Sequence, residues 1–146
     1  MNRRLGVVVV AVVVHLALTL GHGWAHASIP VPFADWQGVY VGVVLVLAPS
    51  TGVLAVASER HKLGAGLLVA AGVGGVAFEG LFHFVVHGPD HVATVERGTK
   101  LFASTAVLTT VGDALLVVAG SWLYRSLARR DDRTGDRRSR ARHSGR

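Results

Sequence analysis

Residues 5–23 read LGVVVVAVVVHLALTLGHG. Valine dominates the run, at Val7–Val10 and Val12–Val14, and in a water-soluble protein that composition points to a strand. A block this long with so few breaks points instead to a helix across a bilayer. Such a helix needs about 20 residues and satisfies its own backbone in lipid. Three blocks of the same kind follow, near residues 38–57, 63–87 and 101–124. The expected fold is therefore all-α: an integral membrane four-helix bundle over residues 1–127 of a 146-residue chain. Residues 128–146, rich in arginine, aspartate, serine and glycine, are expected to form a disordered basic tail.

The net charge of +6 resides in that tail: Arg125–Arg146 holds nine arginines and three aspartates, and the rest of the chain sums to zero. A basic tail beside a last spanning helix is a topological anchor to anionic headgroups, so the expected partner is the lipid bilayer and no nucleic acid is expected. Arg3 and Arg4, then Arg60 and Lys62, then the tail alternate with loops that carry little positive charge. The positive-inside rule puts both termini in the cytoplasm and the protein in the cytoplasmic membrane. Trp24, Trp36 and Tyr40 then mark the outer interface, and Trp122 and Tyr124 the inner one. Arg3 and Arg4, the apolar core and Ala25-His26-Ala27 also fit a secretory signal cleaved after Ala27, which would remove three histidines. The length of the block and the interruption by His15 favour a retained first helix.

With both termini inside, the first and third helices both run outward. His15, His22 and His26 lie on one face of the first, and Glu79, His83, His87 and His91 recur every four residues on the third. Counting inward from the outer boundary sets His22 level with His87, and His15 near the depth of Glu79 and His83. Ionisable groups in hydrocarbon are costly and face a ligand, a partner or a cavity. The chain has no cysteine, and its one methionine is Met1, so any metal must be held by imidazole and carboxylate. That donor set suits Zn, Fe or Cu(II), or a b-type haem with histidine axial ligands. The expected ligands are His15, His22, Glu79, His83 and His87, with His26 and His91 as outer ligands. Asp113, in line with Thr105 and Thr109 on the fourth helix, is expected to orient an imidazole or relay protons. Pro49 should kink the second helix, and the glycines of residues 64–75 should let helices approach closely.

The HxxxH spacing occurs twice in HFVVHGPDH and once in HGWAH. It resembles the histidine boxes of membrane di-iron desaturases and hydroxylases, a likeness that implies iron held by histidines. The likeness covers only these boxes, an HxxHH box is absent, and the activity is not carried over. Three functions are expected in order: metal or haem binding for electron transfer or metal handling; a non-catalytic subunit or assembly factor among other membrane subunits; and a metal or proton transporter acting as a homo-oligomer. The chain shows no phosphate-binding loop, nucleophile elbow or dinucleotide fingerprint in a suitable context.

Overall fold

The valine-rich opening block is a helix, α1 (Arg3–Ser28), and three more follow: α2 (Asp35–Ala57), α3 (His61–Val85) and α4 (Thr99–His143). The structure is a computed structural model that describes residues 3–29, 31–32 and 34–143, with side chains described as far as residue 129. Among the described residues, these four helices, α4 over Thr99–Arg129, are long and apolar enough to cross a membrane, and no strand occurs.

α1 runs five residues past the expected Gly23, to Ser28, and α2 starts three before the expected Gly38; two further boundaries differ for identifiable physical reasons. α3 stops at Val85, two residues early, in a π-helical turn (Leu81–Val85) that the Val86 N–H closes on the Leu81 carbonyl at 2.7 Å. Val86 is extended, and Gly88 precedes a proline, a position that disfavours helix. At the other end α4 continues to His143, across the segment expected to be disordered. Arginine is a good helix former, and extending an existing helix needs no new nucleus. The side chains of that segment lie outside the described residues.

The helices pack around the bundle in the order α1, α4, α3, α2, and α2 closes the circuit on α1. The α2–α3 turn is a Schellman cap: the Arg60 N–H reaches the Ala55 carbonyl (2.8 Å) and the Glu59 N–H the Val56 carbonyl (3.2 Å). Glu59 takes the left-handed conformation there (φ 62°), where glycine is usual. Arg4 Nη2 donates to the Ser126 carbonyl (3.1 Å), tying the start of α1 to the far part of α4. Arg4, the α2–α3 turn with Arg60 and Lys62, and Arg125 thus share one end of the bundle, the basic end.

Val8, Val12, Val56, Ala65, Leu68, Ala71, Leu116 and Leu123 form an apolar core in that half. α3 and α4 meet there at glycine: a Cβ on Gly72 would lie 2.5 Å from the Asp113 carbonyl oxygen, so the helix backbones touch only because Gly72 has none. The outer surface is apolar, with Val10, Leu20, Val39, Leu54 and Val118 all exposed. Exposed apolar surface of this extent marks contact with lipid or protein. Of the aromatics expected at the interfaces, Trp24, Trp36 and Tyr124 are exposed, Trp122 is half-buried, and Tyr40 turns inward. Its hydroxyl donates to the Gly74 carbonyl (3.0 Å) and its ring stacks on Phe78 at 4.7 Å.

Candidate metal centre

One face of α1 is buried from end to end at alternating four- and three-residue steps: Val8, Val12, His15, Thr19, His22. That spacing keeps a single stripe pointed at the bundle axis. The first two members are apolar and the next three are polar. Toward the end opposite the basic one, the axis is therefore lined by side chains that need partners.

His22 and His83 meet across the bundle, with their Nε2 atoms 2.7 Å apart. Glu79, one turn before His83 on α3, places Oε2 2.8 Å from His83 Nε2 and 3.8 Å from His22 Nε2. All three residues are buried. The partners of the other ring nitrogens fix the tautomers. His83 Nδ1 lies 3.0 Å from the Asp90 carbonyl oxygen, which only accepts, so Nδ1 carries a proton. His22 Nδ1 lies 3.0 Å from Thr105 Oγ1, whose single proton goes to the Leu101 or Phe102 carbonyl. The Thr105 oxygen therefore accepts from His22 Nδ1–H. With both rings neutral, two Nε2 lone pairs would face each other beside the carboxyl group; a proton on His83 Nε2 would instead lie between Glu79 Oε2 (2.8 Å) and His22 Nε2 (2.7 Å). Like lone pairs at this distance repel unless a proton or a cation lies between them.

His26 completes a trio: one ring nitrogen from each of His22, His26 and His83 lies within 4.8 Å of the others. Its Nε2 is 3.3 Å from Asp90 Oδ1. Asp90 lies in the α3–α4 loop and is buried by it. Burial lifts its carboxyl above the usual carboxylate range, against the pull of the neighbouring His83 and His26. Phe102 is fully buried and touches all three rings, with centroids 5.2 Å from His22, 4.9 Å from His26 and 5.4 Å from His83. It walls the cluster on the α4 side. A cavity of about 50 Å³, lined by His22, His26, Glu79, His83, Thr19 and Val41 among others, adjoins the nitrogens. A water needs about 10–15 Å³ measured this way, so an ion with a water or two fits.

No family model, curated protein or solved structure matches this chain.

The remaining expected site residues lie elsewhere. His87, expected level with His22, is past the end of α3, exposed, and stacked on His91 at 4.5 Å. The early end of the helix took it off the stripe, so His22 lies level with His83 and Glu79 instead. His91 is buried, and its Nδ1 accepts the Ala93 N–H (3.1 Å). His15 sits deeper, apart from the cluster. Its Nε2 lies 2.7 Å from the Leu45 carbonyl and its Nδ1 3.1 Å from Asp113 Oδ1. Pro49, four residues after Leu45, has no N–H to give that carbonyl. Leu45 lies in a π-helical stretch (Val41–Leu47), and the histidine of α1 gives its carbonyl a side-chain donor where α2 changes register just before the proline. Asp113, expected to orient a ligating imidazole or relay protons, lies against His15 and away from the cluster. It fits against α3 because Gly75 leaves room: a Cβ there would collide with its carboxyl group. Thr105, expected beside Asp113, instead serves His22.

A b-type haem does not fit the cluster. Its axial nitrogens stand on opposite faces of a macrocycle, whereas those of His22 and His83 face each other at 2.7 Å beside a cavity of about 50 Å³. A small cation fits better. About 2.0–2.1 Å per Zn–N bond in a tetrahedral site sets nitrogens roughly 3.3 Å apart, so the His22 and His83 nitrogens, now 2.7 Å apart, would open slightly and the His26 nitrogen, within 4.8 Å of them, would draw in. Sequence reasoning missed Asp90, Gln37, Phe102 and the link from Thr105 to His22. For Asp90 a signal was present: an acid directly before His91 and three residues after His87.

Proposed function

We propose that this chain is an integral membrane protein, with both termini cytoplasmic, that binds a first-row divalent metal ion near the opposite face of the bilayer. His22, His83 and His26 supply nitrogen, and Glu79 supplies oxygen. The observation that carries the reading is the convergence of His22 Nε2, His83 Nε2 and Glu79 Oε2, with a nitrogen of His26 nearby, while Nδ1 of His22 and of His83 each already faces an oxygen. That arrangement is how proteins prepare histidine for metal, with the far nitrogen held so that the near one donates. Imidazole with carboxylate suits zinc, iron(II), cobalt(II) or copper(II).

The charge pattern supports the orientation, since Arg4, Arg60, Lys62 and Arg125 gather at one end. The apolar half-core supports holding an ion rather than passing it through the bilayer, because Val12, Leu68 and Leu116 occupy the axis beyond His15. Metal handling on the outer side, by this chain alone or as a subunit of a larger membrane assembly, is the role these features favour.

The test is metal analysis and cobalt(II) titration of protein purified from membranes, with an intact mass to establish that residues 1–27 are retained. Wild-type protein is expected to bind about one ion, and the His22→Ala, His83→Ala double variant none. A wild-type protein that takes up no metal from a series running from iron(II) to zinc overturns the reading and leaves a proton between the rings.

A further inference from the structure

The metal centre has a wall, and the wall has an outer side. Beyond Asp90, a second cavity of about 380 Å³ opens between the segment before α2 and the α3–α4 loop. Pro32, Ala34, Trp36, Val86 and Pro89 are its exposed members and make an apolar mouth, while Gln37 and Asp90 are buried and supply the polar groups of its floor. A water occupies about 30 Å³ of liquid, so this space admits a hydrated ion.

Asp90 belongs to both spaces. Its Oδ2 accepts from Gln37 Nε2 (3.2 Å), on the floor of the outer cavity. Its Oδ1 is 3.3 Å from His26 Nε2, and its carbonyl accepts from His83 Nδ1. Gln37 cannot be turned the other way: its Oε1 accepts the Ala34 N–H (2.9 Å) at the start of α2, which directs its amide nitrogen at Asp90. The helix start thus fixes the glutamine, and the glutamine fixes the carboxylate. Phe102 closes the cluster toward α4, so the carboxylate at the floor of this cavity is the polar group that adjoins the histidines from the loop side.

We infer that the outer cavity is the route by which the metal ion reaches the histidines, with Asp90 as the carboxylate that receives it there and passes it inward. Gln37 is a positioning residue for Asp90. The inference rests on the metal reading and adds to it a direction of loading, from the face opposite the basic end.

Because the chain has no cysteine, a single introduced thiol can plug the cavity selectively. The experiment uses the full chain in lipid nanodiscs, with cobalt(II) alone as the probe and its visible absorption followed by stopped flow. Ala34→Cys carrying a bulky maleimide is expected to load at least about tenfold more slowly than the same protein unlabelled, with unchanged final occupancy. Ala93→Cys, labelled identically on the exposed part of the same loop, is expected to load at the wild-type rate. Asp90→Asn is expected to slow loading by more than it lowers occupancy. Equal rates for labelled and unlabelled Ala34→Cys, or equal slowing at Ala93, overturn the route. An Asp90→Asn protein that loads at the wild-type rate overturns the role of Asp90. If no unlabelled protein takes up cobalt, the metal reading itself has failed, and the two failures are thereby told apart.

Discussion

The two halves of the bundle share helices and the spacing of α1 but have opposite interiors. In the basic half, α1 meets its neighbours through Val8 and Val12, backed by Leu68, Leu116 and Leu123, and α3 meets α4 at Gly72. In the histidine half the same stripe of α1 continues as His15, Thr19 and His22, facing Leu45, Asp113, Glu79, His83 and Thr105. Both interiors lie under an apolar outer surface. Helix association in lipid depends on close packing more than on hydrophobicity, and small residues provide it. Buried ionisable groups add little net stability and often cost some. The comparison leads to a division that can be tested: the first half holds the fold, and the second, on the metal reading, carries the chemistry.

Substitutions in each half can break or sharpen that division. The largest expected effect is on metal affinity: His83→Ala should weaken cobalt binding by more than about a hundredfold while leaving the helical circular dichroism unchanged. A parallel loss of helix would show that the histidine half also holds the fold. Next is Gly72→Leu in the other half, where a side chain must push against the α4 backbone. It should lower stability to unfolding by about 2 kcal/mol, with metal affinity of the folded fraction unaltered. Thr105→Val removes only the acceptor that orients His22. A loss of about tenfold in metal affinity with no change in melting temperature is expected, and an unaltered affinity would mean that Thr105 does not set the ring. The smallest effect belongs to the turn at the basic end. Glu59→Gly relieves a left-handed backbone and should raise stability by up to about 1 kcal/mol, measured by denaturant unfolding.

The fold was legible because length and hydropathy act over whole blocks. α1 through α4 appear where the apolar runs lie, and Arg4, Arg60 and Arg125 fall at one end as the loop charges implied. The site was legible only in part. His22, His83 and Glu79 could be placed by helical periodicity, and they do meet. His87 was misplaced because periodicity assumes an unbroken α-helix, and α3 ends in a π turn before reaching it. Asp90 and Gln37 were missed for a related reason: they approach the cluster from a loop and from a helix start, where no repeat announces them. Haem was entertained because ligand chemistry can be read from residue types, whereas the space between the ligands cannot.

Pro49 and His15 form a unit that crosses two helices: one withholds a backbone donor from Leu45, and the other replaces it with a ring nitrogen. The dependence runs one way. A lineage that loses the imidazole while keeping the proline leaves a buried carbonyl short of a donor, whereas one that trades the proline for an ordinary residue restores an amide and makes the imidazole dispensable. Relatives of this chain that keep the proline should therefore keep the histidine.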